Sequence, residues 1–162
     1  MAFTDDAVIS IESGPFDIRT ELIERAVRRT LEERGGGGDI SITVLPDSEM
    51  ARLNLKYLGK EGPTDVIAFS LGEEFWPLGD IYLGGDQAAR QAAEHGVRLD
   101  EEMTRLAIHG TLHVIGFDHP DGEARCSSAM FDLQETLVEQ VMATDRRTDA
   151  WSERDDPAGG RR

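Results

Sequence analysis

Three of the four histidines of the chain fall within one short stretch, HGTLHVIGFDH, which runs from His109 to His119. His109 and His113 are four residues apart in a segment with a helical pattern. Four residues advance a helix by about 400°, so the two rings share one face, roughly 6 Å apart along the axis. Imidazole nitrogens at this spacing can bind one metal ion, and the pair therefore predicts two ligands of a metal site.

The third histidine of the stretch, His119, follows a break in the helical pattern. Gly116 can adopt the left-handed conformation that ends a helix, and Pro120 keeps the residue before it extended. We therefore expect the chain to turn back and to bring His119 toward the first two rings. Three neutral nitrogens with one position left open are typical of a catalytic zinc site.

The spacing His-x3-His-x2-Gly-x2-His also occurs in the metzincin peptidases. Those enzymes place a glutamate, the general base, directly after the first histidine, and this chain has Gly110 there. The pattern therefore indicates a metal site without the base of a peptidase. The alternative is that the three histidines are polar residues at a helix end, as we expect for the fourth, His95, beside Gly96.

The composition limits the kinds of protein and of metal site. With 162 residues, 39% of them hydrophobic, the chain suits one domain. Cys126 is the only cysteine, so neither an internal disulfide nor a thiolate zinc site is expected. The net charge of −15 argues against broad binding of nucleic acid but leaves room for a local basic groove. No apolar run approaches the ~20 residues of a membrane span, and the acidic start MAFTDDAVIS is unlike a signal peptide, so we expect a cytoplasmic protein.

Hydrophobic periodicity predicts an α+β domain in which a small mixed sheet of four strands packs with about five helices. The expected strands are Ala7–Glu12, Asp39–Leu45, Val66–Phe69 and Leu78–Leu83, and the expected helices are about Asp17–Arg34, Ser48–Lys56, Asp86–His95, Asp100–Ile115 and Asp121–Ala143. Asp47 or Ser48 would cap the second helix and Asp121 the last. The domain is expected to span residues 1–143, and the polar, aperiodic residues 144–162 are expected to form a disordered tail.

With these motifs the sequence resembles the bacterial YbeY family of metal-dependent endoribonucleases that mature rRNA. The resemblance rests on the histidine motif, His109–His113 with Gly116–His119, and on further blocks between about Ser41 and Val141. Those blocks are Leu53-Asn54, Gly59-Lys60, Pro63–Val66, Leu78–Ile81, Met130 and Gln134-Glu135.

The resemblance implies one zinc ion per chain, held by His109, His113 and His119, at the end of a helix in the centre of the domain. It implies single-strand-specific cleavage of RNA and maturation of the 3′ end of 16S rRNA in the pre-ribosomal small subunit. It also implies two kinds of partner, a small-subunit ribosomal protein and an assembly GTPase.

One position departs from the family pattern. Many members have an arginine between an aromatic residue and Gly-Lys in the loop before the Thr-Asp strand, and this chain has Leu58 there. An arginine could bind a phosphate through two hydrogen bonds, which leucine cannot. Lys56 and Lys60, the only lysines of the chain, flank the position and either supply point charges instead or are ordinary loop residues.

The sequence leaves the remaining roles open. Asp118 and Asp80 are candidate proton acceptors, although each could instead orient a neighbour or form a turn, and Thr64-Asp65 either lines the cleft or makes a turn. Candidate contacts to RNA are the basic residues Arg25, Arg28, Arg29, Arg52, Lys56 and Lys60, with Tyr57 as a stacking platform. Two other functions compete: a metal hydrolase of a small substrate or peptide, which needs no basic groove, and a non-catalytic assembly factor stabilised by its metal.

Overall fold

Four segments with alternating or β-branched patterns form one sheet. The computed structural model describes residues 6–72, 76–117 and 129–154, with side chains of the last helix described to residue 148. The strands are β1 (Val8–Glu12), β2 (Asp39–Leu45), β3 (Val66–Ser70) and β4 (Leu78–Gly84), in the order β1-β2-β4-β3. β1, β2 and β4 are parallel and β3 is antiparallel to β4, which confirms the predicted mixed sheet.

The described residues also contain five α-helices, as expected. They are α1 (Thr20–Leu31, continued by a 3₁₀ turn over Glu32–Arg34), α2 (Asp47–Leu58), α3 (Gly85–His95), α4 (Leu99–Val114) and α5 (Ala129–Arg154). None of these helices combines the length and the apolar character that crossing a membrane requires.

Helix α4 lies at the centre of the domain, where it contacts α1, α3, α5 and the strands β3 and β4. The inner strands bury every second residue against the helices, as shown by Ile40 and Ile42 of β2 and by Ile81 and Leu83 of β4, none of which is exposed. The central position expected for the histidine helix is therefore confirmed.

Two glycines bring α4 close to β4. A Cβ atom on Gly110 of α4 would lie 2.8 Å from Cγ2 of Ile81, and a Cβ atom on Gly79 of β4 would lie 2.6 Å from Cγ2 of Val114. Carbon atoms that are not bonded prefer separations of about 3.5–4.0 Å, so a larger residue at either glycine would push the helix from the sheet. The two contacts therefore determine the distance between the sheet and the last turns of α4, which carry His109 and His113.

The start of α2 differs from the prediction. Neither Asp47 nor Ser48 caps the helix: the N-cap residue is Pro46, which makes no side-chain cap hydrogen bond. The backbone N–H of Asp47 instead donates to the carboxylate of Asp86 at 3.0 Å. The cap therefore comes from α3, and no local sequence pattern could have shown it. Asp121, the other predicted cap, lies outside the described residues.

The end of α5 also differs. The helix continues to Arg154, so the prediction of a disordered tail from residue 144 is wrong for 144–154, whereas residues 155–162 lie outside the described part. The cause is Asp145, which is only 5% exposed and accepts hydrogen bonds from Arg19 at 2.7 and 2.8 Å. Arg25 approaches the same carboxylate at 3.5 Å. The sequence did not indicate this anchor because the arginines lie more than 100 residues earlier.

We expect Asp145→Asn to lower the free energy of unfolding by about 1–2 kcal/mol at pH 7, since it removes a charged acceptor from a partly exposed arginine. The hydrogen bonds from Arg19 hold the pKa of Asp145 below its ordinary value. The contribution of Asp145 is therefore complete above a pH of about 4 and is lost as the pH falls through the lower pKa of the folded state. Urea denaturation between about pH 2 and pH 7 measures both effects.

Glu139→Gln provides a matched control, because Glu139 is an exposed carboxylate on the same helix. It should change stability by less than about 0.5 kcal/mol. Equal losses for the two variants, or a loss for Asp145→Asn that stays constant down to pH 2, would contradict this account of how α5 is anchored.

Candidate metal centre

The rings of His109 and His113 face each other in the last turns of α4. Their Nε2 atoms are 3.2 Å apart and their ring centroids 4.7 Å apart. Two nitrogens that bind one tetrahedral zinc ion at 2.0–2.1 Å are separated by about 3.3–3.4 Å, so the donor pair fits a single ion.

The chain turns sharply after this pair. Gly116 adopts a left-handed conformation with φ of 100°, as its place in the motif predicted. The backbone N–H of Gly116 donates to the carbonyl of His113, and that of Phe117 donates to the carbonyl of Leu112. The next two residues, Asp118 and His119, lie outside the described part of the chain. Within that part, no group of three or more His, Cys, Asp or Glu side chains is arranged to bind a metal, so the third ligand stays a prediction.

Gln134 of α5 determines which nitrogen of His109 carries the proton. Its Oε1 lies 2.6 Å from Nδ1 of His109, and its Nε2 donates to Oε2 of Glu135 at 3.2 Å. Because the amide donates to Glu135 on one side, its oxygen faces His109 and accepts the Nδ1–H. The lone pair of His109 is thereby placed on Nε2, the nitrogen that faces His113, which is the tautomer a metal ligand requires.

A cavity of about 350 Å³ opens beside His109. Asp65, from the turn before β3, lines it together with Gln87 and Gln91 of α3, and the Asp65 carboxylate accepts a hydrogen bond from Nε2 of Gln91 at 3.2 Å. The other residues that line the cavity are Glu94, His95, Glu102, Arg105, Leu106 and Gln134. The structure thus places Asp65 in the cleft, and it adds Gln87 and Gln91, for which the sequence contained no signal.

Asp80 is not brought to the histidines. Successive residues of a strand point to opposite faces of the sheet, and Ile81 points toward Gly110 of α4. Asp80 and Tyr82 therefore lie on the other face. On that face the pKa of Tyr82 is raised, mainly by burial of its hydroxyl group and to a smaller extent by the negative charge of Asp80. Asp80 is thus separated by the sheet from the helix that carries the histidines.

The structure gives a reason for glycine at the position where metzincins have their base. A side chain at residue 110 would meet Cγ2 of Ile81 at 2.8 Å and Cγ2 of Val66 at 3.3 Å. Position 110 therefore points into the sheet, and a glutamate there would separate α4 from β4 instead of serving the cleft. The absence of this base is a consequence of helix packing.

The arginines of α1 line a different site. Arg25, Arg28 and Arg29 border a groove of about 750 Å³ between α1 and α5. On α5 the groove is lined by Thr136, Gln140 and Val141 among others, and it shares no lining residue with the cavity beside His109. All three arginines also form ion pairs. Arg25 pairs with Asp145, Arg28 pairs with Glu24, and Arg29 pairs with both Glu32 and Glu33.

The other basic candidates lie at the exposed end of α2. Arg52, Lys56 and Lys60 are all exposed. Tyr57 and Leu58 each expose about half of their surface. The Tyr57 ring packs edge-on against Phe69 at 5.1 Å, with Nζ of Lys56 5.1 Å from its centre. The helix ends at Gly59, whose φ of 65° allows the turn.

Comparison with known proteins identifies the family. The model of the family described as Endoribonuclease YbeY matches residues 9–142 of the chain.

The chain belongs to the YbeY family of endoribonucleases.

Its relatives in the YbeY family cover most of the chain. An Endoribonuclease YbeY from Persephonella marina is 35% identical over 147 residues, which are 87% of this chain and 95% of the relative. Another from Aquifex aeolicus is 39% identical over 109 residues, 65% of this chain and 73% of the relative. The solution structure of TM1509 from Thermotoga maritima has a TM-score of 0.63 and 25% identity, and the match covers 96% of this chain and 99% of that one. The family expected from the motifs is confirmed, and its members are RNA-cleaving hydrolases.

We expect Gly110→Ala to destabilise the protein by up to about 2 kcal/mol, because overpacking costs typically 1–3 kcal/mol and the better helix propensity of alanine offsets about 1 kcal/mol. The same substitution in an Ile81→Ala background should cost less, since the methyl group that it meets is gone. Urea denaturation of the four proteins in this cycle gives the coupling energy. An equal cost in both backgrounds would show that the contact between Gly110 and Ile81 does not determine the helix position.

Proposed function

We propose that this protein is a zinc-dependent, single-strand-specific endoribonuclease that matures the 3′ end of 16S rRNA in the pre-ribosomal small subunit. The observation that carries the proposal is the pair of Nε2 atoms 3.2 Å apart, one of them on a ring whose tautomer Gln134 sets. The pair has the geometry of a metal site, the Gln134 contact favours the ligand tautomer of His109, and the chain belongs to a family of endoribonucleases.

His109 and His113 would bind the ion, with His119 as the third ligand and one zinc per chain. When bound, the ion would supply positive charge that activates water and stabilises charge on the phosphoryl oxygens. The fourth position would remain open to the substrate.

Asp65 is the carboxylate best placed to accept a proton from the attacking water. It lines the same cavity as His109, and Gln91 holds one of its oxygens at 3.2 Å. Together with a longer hydrogen bond from Oγ1 of Thr64 to the other oxygen at 3.4 Å, this contact orients the carboxylate, and further lone pairs stay available for a proton in transfer. Asp80, on the other face of the sheet, does not have this access.

The exposed end of α2 would bind the RNA. Lys56 and Lys60 supply charge for phosphates, and Tyr57 offers an exposed ring on which an unpaired base can stack. Stacking on a ring requires a base that is free of a duplex, which supports specificity for single strands. In the cytoplasm a small-subunit ribosomal protein and an assembly GTPase would bring the enzyme to the pre-ribosomal small subunit.

A second candidate function is a non-catalytic assembly factor in which the metal stabilises the fold. The observation that favours it is Leu58, which is 51% exposed where many family members have arginine. An apolar residue at that place can contact a protein partner but cannot bind a phosphate. Cleavage of RNA by the pure protein distinguishes the two functions.

We expect about one zinc ion per chain in the wild type and little in His113→Ala, because two ligands bind zinc far more weakly than three. Elemental analysis of untagged protein measures the content, and cleavage of single-stranded RNA should be lost in parallel. Glu139→Ala is the control for metal content, since Glu139 is an exposed residue of α5 outside the cavity beside His109. No zinc in the wild type, or equal zinc in His113→Ala, would contradict the proposal.

We expect Asp65→Asn to keep its zinc and to lower the rate of RNA cleavage by about 10²–10⁴-fold, the usual contribution of a general base. Asp80→Asn, which changes a carboxylate on the opposite face of the sheet, should leave the rate unchanged. Single-turnover cleavage with saturating enzyme separates this effect from binding. A normal rate in Asp65→Asn would remove Asp65 as the proton acceptor.

A further inference from the structure

We propose that Arg105 and Glu135 are positioning residues for the metal centre, which act on His109 through the amide of Gln134. The inference rests on the metal site proposed above and assigns residues that do not touch the ion. Arg105, Glu135, Gln134 and His109 form one continuous chain of hydrogen bonds.

The first link is the contact between His109 and Gln134. The two atoms, Nδ1 and Oε1, are 2.6 Å apart, and Gln134 is only 6% exposed. An amide has an oxygen that accepts and a nitrogen that donates, in nearly the same shape. If the amide of Gln134 were reversed, its NH₂ group would face Nδ1 and would stabilise the other tautomer, with the proton on Nε2. That tautomer cannot bind a metal through Nε2.

The second link selects the orientation of the amide. Oε2 of Glu135 lies 3.2 Å from Nε2 of Gln134. An ionised carboxylate only accepts hydrogen bonds, so Glu135 favours the orientation in which the nitrogen of Gln134 faces it. The oxygen of the amide must then face His109.

The third link holds Glu135. Arg105 donates from Nε to Oε2 at 3.0 Å and from Nη2 to Oε1 at 3.1 Å, and from Nη1 to the buried Glu102 at 2.9 Å. Burial by itself lowers the pKa of Arg105, but the hydrogen bonds and charges of Glu135 and Glu102 more than offset this and raise it. Guanidinium only donates, so Glu135 stays an acceptor and its carboxylate stays fixed.

The direction of every hydrogen bond in the chain follows from its two ends. Arg105 can only donate and Glu135 can only accept, which leaves one orientation for Gln134 and one tautomer for His109. Glu135→Gln removes this constraint, because a second amide can accept or donate and both orientations of Gln134 become possible.

The test measures zinc affinity by competition with a chromophoric chelator. We expect Glu135→Gln and Arg105→Lys to weaken zinc binding by about 10-fold, and Gln134→Leu by about 10–100-fold, the range found when residues that orient a metal ligand are changed. In the chain of hydrogen bonds, Glu135 is one link and Arg105 two links beyond Gln134. If the amide of Gln134 kept its orientation without them, Glu135→Gln would leave the affinity for zinc unchanged.

Asp145→Asn is the matched control. Asp145 is another carboxylate of α5 that forms a bidentate pair with an arginine, in this case Arg19. It does not line the cavity beside His109. The substitution should lower thermal stability as Glu135→Gln does while keeping wild-type affinity for zinc. If both variants lost affinity equally, the effect would be general destabilisation, and the positioning role would be wrong.

A second readout needs no metal. The ¹⁵N resonances of the His109 ring in the metal-free protein at about pH 8, above the ordinary histidine pKa of ~6.5, report its tautomer. We expect the proton on Nδ1 in the wild type and a mixture of tautomers in Glu135→Gln. An unchanged tautomer in Glu135→Gln, together with unchanged affinity, would overturn the inference even if the wild type binds zinc. A wild type that binds no zinc would instead defeat the proposed function, whereas the tautomer would still decide the role of Glu135.

Discussion

Two glycine contacts determine how closely helix α4 approaches the sheet, and the position of the histidine pair relative to β3 and β4 depends on them. Gly110 lies against Ile81, and Gly79 lies against Val114. Because neither contact has room for a Cβ atom, α4 packs closely against β4, and its last turns lie beside β3. This packing holds His109 next to the turn that carries Asp65, and it leaves no place for a catalytic side chain at position 110.

Ion pairs between arginines and carboxylates connect the helices that surround α4. Arg19 binds Asp145, Arg90 binds Asp47, and Arg105 binds Glu135, each through two hydrogen bonds that join segments distant in the sequence. The planar guanidinium suits such bidentate pairs better than an ammonium group, which accords with a chain that has only two lysines.

Most elements and the histidine pair could be predicted from the sequence, because both depend on short-range periodicity. The errors have a common cause. The cap of α2 comes from Asp86, and the last helix is anchored by Arg19. Asp80 lies on the face of the sheet opposite to α4, because α4 packs against the face that carries Ile81. Each of these features depends on a contact between segments far apart in the chain. Periodicity shows that a strand has two faces, but it does not show which helix covers which face.

The sequence by itself determined that His109 and His113 share one face of a helix that ends near Gly116, because helix geometry and the freedom of glycine are local properties. Only the tertiary structure decided what surrounds them. Gln134 reaches Nδ1 of His109 from another helix, and Asp65 enters the same cavity from the turn before β3. The tautomer of a ring and the neighbours of a cavity depend on how segments pack, and packing is a property of the whole domain.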